Sequence, residues 1–165
     1  MKKKGIGVAV CFIVLLLIGG FIYINYSPPL VAGNGIGSTN DEKVKIVEME
    51  NRYRFGKIQV TDVFVNDGKQ PLESKIQVSN HQKGFIITAD FYGEEAERFT
   101  FKNLESIKTP PNTAPAKQLQ KLNEGKVSGV DFIYAVHVSH DESVNQMTVQ
   151  YEYLGMSYDM VISTN

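Results

Sequence analysis

The chain has no tryptophan and only one cysteine, Cys11, among 165 residues. It also carries no charge of either sign from Gly5 through Asn40, and every acidic residue lies beyond that stretch. Each absence excludes something. With one cysteine no intrachain disulfide forms, so a disulfide-stapled scaffold is excluded and any folded region rests on its own core. Lacking both a cysteine pair and tryptophan, the chain cannot carry the Cys–Trp–Cys signature of antibody-type domains. With 17 basic and 18 acidic side chains, it lacks the basic excess of a nucleic-acid binder. At 42% hydrophobic residues it is not a disordered acidic tail either.

What fills the charge-free opening is apolar. Residues Gly5 to Ile24 read GIGVAVCFIVLLLIGGFIYI, 20 positions without a charge. At about 1.5 Å per residue they extend about 30 Å as a helix, the thickness of a bilayer core. Tyr23 and Tyr26 suit the headgroup level at one end, and Lys2, Lys3 and Lys4 flank the other, which keeps the N-terminus cytoplasmic. A cleaved signal peptide shares the basic start, but its apolar core runs about 7–15 residues. The small residues Val31-Ala32-Gly33 come only after the turn-forming Ser27-Pro28-Pro29, so the length favours an uncleaved anchor. Cys11 follows Val10 inside the apolar run, the wrong place for lipidation, and reads as a small residue facing lipid or a neighbouring helix. Absence of exported cysteines fits a bacterial envelope better than an animal secretory route.

The expected organisation is a cytoplasmic basic end (1–4), an anchor (5–26), a flexible linker (27–40) and an extracytoplasmic β domain (41–165). The linker, SPPLVAGNGIGSTN, is rich in Pro, Gly, Ser and Asn. Its Gly33-x-Gly35-x-Gly37 pattern lacks the preceding strand and following helix of a phosphate loop. With the N-terminal lysines set aside, 14 basic and 18 acidic residues remain, a net charge of −4 on the exported part. That charge keeps the domain soluble and discourages binding to anionic lipid or nucleic acid.

Two-residue alternation predicts the strands. Val44–Met49, Ile58–Val65, Lys75–Ser79, Phe85–Tyr92, Arg98–Lys102, Val130–Val138, Gln146–Tyr153 and Ser157–Ser163 all read as strands. Asn66-Asp67-Gly68 and Gly93-Glu94-Glu95 mark turns. Short turns at His140–Ser143 and Leu154-Gly155 predict that the last three strands form an antiparallel meander. One short helix is expected between Pro115 and Gly125. The predicted fold class is mainly β: an antiparallel β-sandwich of immunoglobulin-like architecture with one short helix, after a single N-terminal transmembrane helix. An α+β arrangement is the alternative.

The chemistry-bearing residues form no strong motif. His137, His140 and Asp141, with Glu142, are the densest set of metal-ligand types, but their spacing is not that of a zinc site, so no metal or other cofactor is assigned. Asp90, Asp131, Glu152 and Asp159 alternate with apolar residues and should face outward, with Glu152 and Asp159 facing each other across the last hairpin. No nucleophile elbow or P-loop is present. Tyr151, Tyr153 and Tyr158, with Phe132 and Tyr134, can line a glycan- or peptide-binding face, but at strand spacing they read first as core. The crossing Asn103–Thr113 is longer than most connections, and Lys108, Thr109, Pro110, Pro111, Asn112 and Thr113 are its candidate recognition residues.

The expected function is therefore a non-enzymatic, membrane-anchored extracytoplasmic binding domain of a bacterial-type envelope protein. Its expected partners are the membrane, through the helix, and another envelope protein, met by strand addition or by the 108–113 loop. The alternative is a structural subunit of a multi-protein envelope or secretion machine, in which Gly5/Ala9 and Gly7/Cys11 allow close helix approach. An envelope-polymer hydrolase using Asp131, His137, Glu152 and Asp159 ranks below both.

Overall fold

A computed structural model describes residues 2–80, 82–113, 120, 123–126 and 131–164. It opens with helix α1, Lys2–Tyr26. The run is apolar all round, as expected of a helix not made to lie on a protein core. Its stretch Ile6–Ile24 is long and apolar enough to cross a membrane; residues 6–23 are exposed, and Ile24 is half-buried against the β core. The helix stops just before Pro28-Pro29, since the residue before a proline is pushed out of helical geometry.

Among the described residues eight strands follow: β1 Leu30–Ser38, β2 Val44–Asn51, β3 Ile58–Val65, β4 Glu73–Ser79, β5 Thr100–Lys102, β6 Ile133–Ser139, β7 Gln146–Tyr153 and β8 Met156–Ser163. They form two antiparallel sheets, one ordered β1-β2-β6-β4-β5 and the other β3-β7-β8. One hydrophobic cluster draws on both. Val47, Met49, Ile76, Tyr134, Val136 and Val138 come from the first sheet, and Ile58, Val60, Val63, Val149 and Tyr151 from the second. The protein is mainly β, as the alternation predicts.

Four expectations are corrected. First, 27–40 is not a flexible linker: β1 pairs with β2 from Leu30↔Asn51 to Ser38↔Lys45, with a register shift between Ala32 and Ile36. The glycines there serve close approach. A Cβ on Gly33 or Gly35 would lie 2.8 or 2.6 Å from the Glu48 side chain, and one on Gly37 would lie 2.7 Å from both Ile46 and Ile87. Second, the last three strands form no meander. β7 and β8 pair through the turn at Leu154 and Gly155, both at positive φ, as the commonest two-residue hairpins require. β6, however, pairs with β2 and β4 in the other sheet.

Third, Phe85–Tyr92 joins no ladder. It crosses the outer face of the five-stranded sheet, bending at Ala89 and turning at Phe91-Tyr92. There the Gln77 side-chain amide donates to the Ile86 carbonyl and accepts from its N–H, both at 3.0 Å. Phe91 sits edge-on to His137, ring centroids 4.9 Å apart. Fourth, β6 is buried on both faces rather than one, because this crossing covers the face opposite the shared core. Alternation of apolar and polar residues cannot distinguish a covered face from a wet one when the cover is local chain. The expected helix at Pro115–Gly125 lies mostly outside the described residues, as does Val130; Gln120 and Asn123 are helical and Gly125 has φ +68°.

Candidate functional site at the helix end

The most elaborate constellation joins the end of α1 to the loop after β2. That strand ends at Asn51, which is fully buried and ties three backbone groups together. Its amide nitrogen donates to the carbonyls of Gly56 (3.1 Å) and Thr109 (3.3 Å), and its Oδ1 accepts from the Tyr53 N–H (3.3 Å). The chain can close this tight loop because Gly56 sits at φ +77°, a region that favours glycine.

The loop then grips the helix. The Tyr53 hydroxyl donates to the Ser27 carbonyl at 2.6 Å, and Arg52 Nη1 donates to Ser27 Oγ at 3.1 Å. The Arg52 N–H donates to the Pro29 carbonyl at 3.1 Å. The Tyr53 ring stacks on Phe55, with centroids 6.3 Å apart, and tilts against Tyr23 (6.3 Å) and Tyr153 (5.7 Å). The Tyr153 hydroxyl donates to the Phe55 carbonyl at 2.8 Å. Burial, with the neighbouring phenols of Tyr53 and Tyr158 adding to it, holds Tyr153 above the ordinary tyrosine pKa, so it stays a neutral donor. Together these groups enclose a cavity of about 700 Å³ that reaches from Gly20 and Tyr23 of the helix to Arg52, Arg54 and Phe55. Among the described residues, no acidic side chain lines it.

The predicted recognition loop lies beside this site. Thr109 pairs with Ile58 through both backbone groups, at 3.0 and 2.8 Å. Thr113 Oγ1 accepts from the Asn51 N–H at 3.1 Å, and the Asn112 N–H donates to the Tyr53 carbonyl at 3.1 Å. Thr109 and Thr113 are buried, Pro110 and Pro111 half-buried, and Lys108 and Asn112 exposed. The segment is thus a strap that supports the 52–57 loop, and Lys108 and Asn112 are its most outward side chains.

The remaining sequence candidates are scattered. His137 lies between Phe91 and Phe101, while His140 follows the strand end and sits 3.3 Å from the Asp141 carboxylate. Among the described residues no group of three or more His, Cys, Asp or Glu converges as metal ligands. Glu152 faces Ser157 and Asp159 faces Gln150, so these two acids do not oppose each other as expected. The two-residue turn sets a register in which they lie two pairs apart along the ladder. Tyr151 and Tyr153 are fully buried, and burial pushes the Tyr151 phenol up to about 12. They serve the core and present no binding row.

Sequence reasoning missed Arg52 to Phe55. The available signal was the alternation of basic and aromatic residues in Arg-Tyr-Arg-Phe, directly after a strand and before a glycine. Comparison with family models, curated proteins and solved structures finds no match.

Proposed function

We propose that this chain is a single-pass, membrane-anchored interaction domain. In this reading α1 spans a bilayer with its lysine end cytoplasmic, and the β region works outside the cell by binding another envelope protein, not by catalysis. The carrying observation is the junction. Only Ser27, Pro28 and Pro29 separate α1 from β1, and Tyr53 and Arg52 clamp that short link. Such a domain stands on the membrane surface and does not swing on a tether. The shared core supports reading the two sheets as the layers of a β-sandwich, immunoglobulin-like in its antiparallel strands exchanged between sheets.

The partner surface that fits best is the outer edge of β8. That strand is eight residues long and ends its sheet, and its Val161 is 61% exposed. An unpaired edge of that length accepts an added strand by main-chain hydrogen bonds. Photocrosslinking residues at Val161 and at Lys108, in intact membranes, test this. Capture from Val161 alone is expected. Capture from Lys108 alone would move the contact to the strap, and capture from neither would remove the interaction-domain reading.

A further inference from the structure

We propose that the Arg52–Phe55 loop is a headgroup-binding collar that holds the phosphodiester of an anionic phospholipid against the end of α1. The inference rests on the anchor reading, since it needs α1 to cross a bilayer.

Depth is the first observation. The cavity beneath the loop includes Gly20 and Ile24, and the apolar stretch ends at Ile24. Four residues of helix are about 6 Å. The cavity under the loop therefore reaches about one turn below the end of the span, to the depth of the headgroup and upper acyl region. The loop itself meets the helix end at Tyr23 and Ser27. What it presents there suits that layer. Phe55 is 65% exposed and lies on the Tyr53 ring, as interfacial aromatics do. Leu154 is 55% exposed, and the pairing Ile58↔Tyr153 puts its turn at the same end of the molecule.

Charge is the second observation, and it is independent of the first. The two cavity-lining cations, Arg52 and Arg54, have no carboxylate partner among the described residues: Arg52 donates to Ser27, and Arg54 has no side-chain partner there. Guanidinium groups with free donors match phosphate oxygens. At the opposite end, marked by Val65 and Gln146, the hollow is lined by Asp67 and Glu142 with Lys69. Among the described residues, the hollow beside the helix is thus lined by cations and no acid, whereas the far one holds two acids and a lysine bound to one of them at 2.6 Å.

The absence of tryptophan makes a direct test available. Full-length protein carrying Phe55→Trp, its sole tryptophan, is reconstituted into phosphatidylcholine vesicles and into vesicles containing phosphatidylglycerol, each with acyl chains brominated near the headgroup. Quenching is expected in both and should be stronger with phosphatidylglycerol. Arg52→Gln and Arg54→Gln should each lower the docked-to-undocked ratio about fivefold in the anionic vesicles, and Arg54→Lys should restore part of it. A Leu72→Trp protein, reporting from the far end, should not be quenched. Equal quenching in the two vesicle types would overturn phosphate recognition. Loss of the difference on adding inorganic phosphate would mean a soluble anion site and would overturn the lipid assignment. Vesicle flotation without Phe55→Trp quenching would overturn the collar and leave the anchor standing, whereas failure to float would overturn the anchor and the collar with it.

Discussion

His137 should make the protein lose stability in mild acid. Its side chain is fully buried, edge-on to Phe91 and Phe101 at 4.9 and 5.6 Å, and neither ring nitrogen meets hydrogen-bond geometry. Its register neighbours on β2 and β4 are Ile46 and Lys75. The Lys75 ammonium is taken up by Asn103 (2.9 Å) and Glu73 (3.2 Å). Among the described residues, no carboxylate is placed to compensate an imidazolium in this position. Burial lowers the His137 pKa to about 4, opposed by a weaker backbone contact at Thr88.

Because the folded value lies below the unfolded one, the unfolded chain takes up the proton first. The stability is fully present above the unfolded value of 6.5 and is lost as pH falls toward about 4. Linkage gives a loss of about 1 kcal/mol between about pH 7.5 and about pH 5.5, where most carboxylates remain ionised. With a urea dependence of ~1–3 kcal/mol per molar, the unfolding midpoint should fall by roughly 0.3–1 M across that window. Urea titrations of the full chain in non-ionic detergent, followed by near-ultraviolet tyrosine dichroism, measure it. His137→Leu removes the titrating ring and two unpaired nitrogens, so it should flatten the pH dependence at little cost near neutrality. His140→Gln, the control, should keep it. A His137→Leu protein with the parental slope would refute the assignment.

Two further predictions address the site's architecture. Gly56→Ala places a Cβ 2.5 Å from the Tyr153 ring at φ +77° and should cost about 3 kcal/mol or more, whereas Gly155→Ala, at the same φ with open space around it, should cost about 1 kcal/mol; denaturant titration separates them. Asn51→Ala strands the Gly56 carbonyl and the Tyr53 N–H, and leaves the Thr109 carbonyl with the Ile58 N–H alone. It should cost about 2–4 kcal/mol and expose the 52–57 loop to limited proteolysis first.

The strands were largely legible because their signal is local. Ile58–Val65 alternates along its own length, and the observed β3 has the predicted bounds. Pairing was less legible. Nothing in Ile133–Ser139 states that its neighbours are β2 and β4 and not the strand that follows it, because the turn at 140–143 can close a hairpin or cross between sheets. The site was least legible of all. Asn51, Tyr53 and Thr113 matter through contacts between residues far apart in the chain, 62 positions in the case of the Asn51–Thr113 bond, and no periodicity records those. Phe85–Tyr92 misled for a related reason: Phe91 is buried, and Phe85 and Ile86 half-buried, by lying across a sheet and not by joining one, while Ile87 and Tyr92 stay exposed.

The reassignment of residues 27–40 bears most on function. Lack of charge and abundance of glycine are compatible with a tether, but they are equally what a strand needs when a neighbouring side chain must pass over its backbone, as Glu48 does over Gly33 and Gly35. The two alternatives place the β region differently. A tether of this composition would let the domain range tens of ångströms from the bilayer. A strand beginning just after α1, with Tyr53 and Arg52 bonded to the link, fixes one end of the domain beside the helix terminus. The arginines and the exposed Phe55 then stand where headgroups would be, and the acidic end faces away. A single structural choice in the glycine-rich segment thus connects the apolar helix, the placement of the domain against it and, in the proposed reading, the edge of β8 offered to a partner.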